Sequence, residues 1–130
     1  MPKAKLNRGV QVIWTMTEIN GRTAWQGCLY SRRKLVSWAI LSIDFKHPDH
    51  LWLESVETVP EYRRQGYATT VLQSMANMMR MDYKEIHLTI QPFGKETMSA
   101  PQLMRFYQKL GFAKTDRIHR SGQAIWELKL

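Results

Sequence analysis

Cysteine is nearly absent. With Cys28 alone, the chain can build neither an internal disulfide nor a cysteine metal cluster, a usage that fits a reducing compartment. Nor is there an apolar run near the roughly 18 residues of a membrane helix, and Met1 to Arg8 lacks the apolar segment of a signal peptide. No membrane partner is therefore expected, and the expected location is the cytoplasm. Acid is also scarce: 11 Asp and Glu face 19 Lys and Arg, for a net charge of +8, which favours an anionic ligand or partner. The basic residues fall in small groups, Lys3, Lys5 and Arg8, then Arg32-Arg33-Lys34, then Arg63-Arg64. No dense basic tract with interleaved aromatics occurs, so dedicated nucleic-acid binding is a lesser alternative. Repeats and low-complexity linkers are missing too, and 130 residues (15.3 kDa) give a single domain, 1–130.

What is present is alternation followed by helical periodicity. Val10 to Ile19 reads as a first strand, and Asn20-Gly21 is a two-residue hairpin signal that turns the chain back into Arg22 to Tyr30. Leu35 to Ile43, Leu51 to Val59 and Glu85 to Gln91 read as further strands, with Pro48 breaking the loop before the fourth. Ala68, Val71, Leu72, Met75, Met78 and Met79 recur at i, i+3, i+4, i+7 and predict a helix with an apolar face. Ser99 and Gln102 form a capping box for a second helix, Pro101 suits its first turn, and Gly111 ends it. Ala113 to Asp116 and Ala124 to Leu130 supply the last strands. The expected fold class is α+β, a mixed and mainly antiparallel sheet with two main helices.

Between the fourth strand and the first helix runs Val59-Pro60-Glu61-Tyr62-Arg63-Arg64-Gln65-Gly66-Tyr67-Ala68. A helix starting at the glycine aims its unpaired N–H groups and its dipole back at this loop, an anion site that needs no special side chain. Gly66 lets a ligand approach the backbone. The pattern Arg-x-x-Gly-x-Ala resembles the pyrophosphate loop of the GNAT acyl-CoA N-acyltransferase superfamily. A second block, Leu103-Met104-Arg105-Phe106-Tyr107-Gln108-Lys109-Leu110-Gly111-Phe112, resembles the family's later helix. The resemblance covers Leu51 to Phe112 well, and the first 50 residues only by the order of their strands.

The resemblance implies an enzyme that moves an acetyl group from acetyl-CoA to a primary amine, with no metal. It places cofactor contacts at Val56, Thr58, Arg63, Arg64, Gln65, Gly66, Tyr67, Ala68 and Thr69. It implies Tyr107 as the acid for the departing thiolate, although Leu103, Phe106, Tyr107 and Leu110 also form a stripe suited to core packing. The base is open. Glu54 stands where many relatives have Glu, Glu57 is a second candidate, and Thr89 stands where some relatives carry a catalytic Glu, which leaves Glu54, His87 or water. Strict alternation puts Glu54, Val56 and Thr58 on one face of the fourth strand unless a bulge intervenes. On the fifth it puts His87, Thr89 and Gln91 opposite Ile86, Leu88 and Ile90.

Two departures from the family stand out. Asn20-Gly21 replaces the two helices that relatives carry between their first strands. The cleft beside Glu54, His87 and Gln91 should then be broad and solvent-facing, suited to an amine on a protein or another large acceptor. Ala100 and Leu103 occupy positions where relatives often have Asn and Ala, and Pro92 to Met98 reads as an insertion of about six residues. Alternatives are a non-catalytic protein of the same fold that binds coenzyme A or a macromolecule, and an acetyltransferase acting on aminoacyl-tRNA; a homodimer is left open. Cys28 reads as a structural thiol. His47-Pro48-Asp49-His50 has no further ligand cluster in sequence, so no metal site is expected there. Five tryptophans, Trp14, Trp25, Trp38, Trp52 and Trp126, fall one per strand, with Trp25 and Trp52 the candidates to edge the acceptor cleft.

Overall fold

A computed structural model of the protein describes residues 9–90 and 98–130. Alternating apolar residues form β1 (Val10–Ile19), β2 (Arg22–Ser31), β3 (Lys34–Ile43) and β4 (His50–Thr58). Then come α1 (Tyr67–Met79), β5 (Glu85–Thr89), α2 (Ala100–Lys109), β6 (Ala113–Ile118) and β7 (Ala124–Lys129). The strands make one sheet in the order β1-β2-β3-β4-β5-β7-β6, antiparallel throughout except for the β4–β5 pair. The fold is α+β as expected. Asn20 (φ 54) and Gly21 (φ 76) are both left-handed, the geometry that a two-residue hairpin demands, so β1 runs straight into β2 with no helix between. Arg32 (φ 51) and Arg33 (φ 70) make the same kind of turn without a glycine or asparagine to announce it.

One face of the sheet is covered. Val71, Leu72, Met75 and Met79 of α1 are buried against Leu29, Ala39, Leu41, Leu51, Ile86, Leu88 and Trp126. Met78, expected on this face, lies 54% exposed because its position has rotated past the edge of the buried stripe. Trp14 tethers β1 to the helix. Its ring lies over Gly27, where an added Cβ would come within 2.4 Å, and its Nε1–H donates to Ser74 Oγ at 3.0 Å. Leu103, Phe106, Tyr107 and Leu110 of α2 pack on the edge of the same core, and the Ser99–Gln102 capping box forms as read. Trp25 also belongs to this side, donating to the Tyr83 hydroxyl, so it does not edge an acceptor cleft.

Two irregularities shape the middle of the sheet. β4 and β5 pair over three positions only, His50–Glu85, Leu51–Ile86 and Trp52–His87, and beyond them the two strands share no ladder. The second irregularity is a bulge in β4: Leu41 faces Leu53 while Ile40 faces Ser55, which leaves Glu54 as the extra residue. The face assignment from strict alternation is therefore corrected. Leu51, Leu53, Val56 and Thr58 share the helix-covered face, and Glu54 joins Trp52 on the other, where it accepts a hydrogen bond from Ser42 Oγ.

Candidate active site

The loop after β4 is built to present donors. A single 3-10 turn, Pro60–Tyr62, closes through Tyr62 N–H to Val59 O at 2.8 Å. Arg64 (φ 64) and Gly66 (φ 81) then adopt left-handed backbone, and Gly66 serves as the N-cap of α1 with no side chain capping it. The helix's first bond is Thr70 N–H to Gly66 O, and among the described residues the N–H groups of residues 64–69 make no backbone hydrogen bond. Nothing lies within 4 Å of where a Gly66 Cβ would stand, so the space over the loop is open to a ligand. Alternating left-handed residues and a helix N-terminus aim several N–H dipoles at one spot, which suits a phosphate. Arg63 braces the loop through Nε–H to Thr58 O at 3.2 Å, while the Arg64 side chain is exposed. Gln65 is exposed with its amide 3.5 Å from Glu61 O; Tyr67, Ala68 and Thr69 occupy the half-buried first turn.

The β4 edge leads from this loop into the gap. Val56 packs on the core, and Thr58 Oγ1 lies 2.9 Å from the buried Ser37 Oγ, so these side chains are committed to the protein and only their main chain can serve a ligand. Past Trp52, the β5-facing edge of β4 has no ladder partner among the described residues. Tyr107 lies on the helix-covered side, packed against the core. Its ring packs edge-on against Phe106 and Phe112, at 5.2 and 5.6 Å between centroids, and burial pushes its phenol up to about 12. No hydrogen bond to its hydroxyl is formed among the described residues. Glu54 lies on the opposite face and is exposed, so Tyr107 and Glu54 stand on opposite sides of the sheet. Glu57, on the open face across from Trp38, is exposed as well.

His87 does not line an open cleft. It is 2% exposed, with Nε2 at 2.8 Å from Glu85 Oε1 and 3.8 Å from Glu127 Oε2. Hydrogen bonding from His87, against an opposing effect of burial, holds the Glu85 carboxyl below the usual range, helped by the charges of His50 and His87. Trp52 does face the open side: its ring meets His87 and His119 at 5.2 and 5.5 Å, and its Nε1–H donates to Asp44 at 2.8 Å. Burial pushes the Asp44 carboxyl up, but that bond and two from the Lys46 and His47 N–H groups outweigh it and hold it low. Cys28 is half-buried between Ile13 and Trp38, and burial pushes its thiol up, in keeping with a structural role. Gln91 and the Pro92 to Thr97 stretch lie outside the described residues, as does the basic group Lys3, Lys5 and Arg8. The grouping of His50, Glu85, His87 and Glu127 was not foreseen, because it joins three strands whose pairing has no local signature.

Residues 6–112 match the sequence profile of the Acetyltransferase (GNAT) family, and the chain belongs to that family. Its fold is similar to an N-acetyltransferase, PaiA, of Thermoplasma acidophilum in complex with coenzyme A (19% identity, TM-score 0.63), covering 82% of this chain and 61% of that one. It is similar to the ribosomal-protein-S18-alanine N-acetyltransferase of Escherichia coli (15%, TM-score 0.60; 98% and 73% covered). A spermidine N-acetyltransferase chimera from Vibrio cholerae is a third (14%, TM-score 0.64; 82% and 68% covered). The chain thus spans about three fifths of the length of the Thermoplasma protein. No curated protein sequence matches it. Among the described residues no helix is long and apolar enough to cross a membrane.

Proposed function

We propose that the protein is an N-acetyltransferase that moves the acetyl group of acetyl-CoA to a primary amine carried by a protein or another large acceptor, in the cytoplasm. The observation that carries this reading is the run of unpaired N–H groups at residues 64–69, set at the end of a strand that has parted from its neighbour. The loop would hold the pyrophosphate, with Arg64 beside it, and the thioester arm would lie along the open edge of β4 at Val56 and Thr58. The amine would enter from the open face. Its nitrogen attacks the carbonyl carbon, the C–S bond breaks, the amine proton passes to Glu54 directly or through water, and the sulfur carries away the electron pair.

Tyr107 serves the departing sulfur. With its phenol near 12 against about 8.5 for an ordinary thiol, full proton transfer to the thiolate is uphill. The hydroxyl therefore acts chiefly as a hydrogen-bond donor that stabilises developing charge, and the thiolate takes its final proton from solvent. A large acceptor is supported by the sheet face opposite α1: with β1 running directly into β2, no helix pair walls the amine side among the described residues. A small amine buries little there, whereas a macromolecule binds through its remote surface. Thiol release from acetyl-CoA, measured side by side with peptides, folded protein, aminoacyl-tRNA, polyamines and aminoglycosides, tests both statements. Turnover best with a macromolecular acceptor is expected; a free small amine as the far better acceptor removes the size argument, and no thiol release with any amine removes the enzyme.

A further inference from the structure

All four histidines of the chain gather at one end of the open sheet face. His47 and His50 rings lie 5.3 Å apart, His50 and His87 5.1 Å, and Trp52 touches both His87 and His119. Within this cluster His50 Nε2 and His87 Nε2 converge on the two oxygens of one carboxylate, at 4.0 Å from Glu85 Oε2 and 2.8 Å from Glu85 Oε1. The ligand-capable atoms of His50, Glu85 and His87 all fall within 4.8 Å of one another, and Glu127 Oε2 stands 3.8 Å from His87 Nε2.

The backbone fixes this arrangement. His50 pairs with Glu85 and Trp52 with His87 in the short parallel ladder, while Glu127 faces His87 from β7. Four groups from three hydrogen-bonded strands therefore point at one spot without any loop having to order. Around a tetrahedral ion with bonds of about 2.0–2.1 Å, neighbouring ligand atoms stand about 3.3 Å apart. The observed separations straddle that value, so side-chain rotations of about an ångström close the site.

We propose that His50, Glu85 and His87 bind one divalent transition-metal ion of the zinc class, with Glu127 or solvent as the fourth ligand. Two imidazoles with a carboxylate select zinc-like ions over magnesium or calcium, which prefer all-oxygen ligands. The ion would clamp β4, β5 and β7 together below the point where β4 and β5 part. Two features limit its affinity. Glu127 also accepts from Arg117 at 2.8 Å, and metal on His87 Nε2 places the ring proton on Nδ1, which is buried and has no partner. An unmatched buried N–H weakens binding about ten- to a hundredfold, so micromolar rather than nanomolar affinity is expected.

The test is zinc titration of the chelator-treated full chain by calorimetry, together with the visible spectrum of the cobalt-loaded protein. One equivalent should bind, with intense ligand-field bands of a four- or five-coordinate N/O site and a rise in Tm. His50→Ala and Glu85→Gln, both on partly exposed side chains, should each weaken zinc at least thirtyfold while circular dichroism stays unchanged. His119→Ala, outside the ligand set, should leave affinity as it was. A dissociation constant above about 1 mM, affinity in His50→Ala and Glu85→Gln unchanged from that of the unsubstituted chain, or a sulfur-to-cobalt charge-transfer band marking Cys28 as the ligand would each overturn the site.

Discussion

The strands present different chemistry on their two faces. Toward α1 they bring Leu29, Ala39, Leu41, Leu51, Ile86 and Leu88, all almost fully buried. Away from it they bring Ile13, Cys28, Trp38, Trp52 and Glu54, with His87 and Glu127 at the far end. On the covered face position is set by close packing. On the open face it is set by hydrogen bonds and ring contacts such as Ser42 to Glu54 and Trp52 to Asp44. In the proposed reaction the covered side would hold Tyr107 and the open side would receive the amine, so stability and acceptor choice would be carried by different faces.

Deletion within the covered face should have the largest effect. Met75 is fully buried beneath α1, so Met75→Ala should cost about 2–5 kcal/mol in denaturant unfolding, while Ile13→Thr on the open face should change stability by no more than about 0.5 kcal/mol. Equal losses would mean that the open face is covered in solution, as in a homodimer. Next comes Tyr107→Phe, which should lower kcat about a hundredfold with little change in acetyl-CoA KM or in fold. An undiminished kcat would return Tyr107 to core packing alone. The same residue has a pH signature. Its folded phenol titrates near 12 against 10 when exposed, so it leaves stability unchanged below pH 10 and subtracts stability as pH rises from 10 to 12. In Tyr107→Phe that alkaline loss, followed by urea midpoints, should shrink.

A smaller effect is expected at the loop. Gly66 is left-handed with open space above it, so Gly66→Val introduces backbone strain of about 1–2 kcal/mol rather than a clash, and its branched side chain crowds the ligand. Acetyl-CoA affinity measured by calorimetry should fall about tenfold, and less for Gly66→Asn, which tolerates left-handed backbone. Smallest is Glu54→Gln. The carboxylate is exposed and water competes for its task, so kcat/KM should drop by about threefold at neutral pH, below the range of a well-placed base. A change no greater than that of Glu57→Gln would leave the proton to water.

Strands, helices and the donor loop could be read in the sequence because each rests on neighbours along the chain. Alternation in Val10 to Ile19, the methionine and valine spacing of α1, left-handed Asn20-Gly21 and the Ser99–Gln102 cap are satisfied within a few residues, and the structure keeps them, Met78 excepted. The turn at Arg32-Arg33 was less legible because its residues do not favour left-handed backbone and only the β2–β3 pairing imposes it. What the tertiary structure alone decided is the bulge that turns Glu54 away from Val56 and Thr58, the three-residue β4–β5 ladder that opens the gap, and the meeting of His50, Glu85, His87 and Glu127. These depend on which strands pair and in what register. A period of two fixes which residues can share a face, but not which neighbour, parted or paired, will stand opposite them.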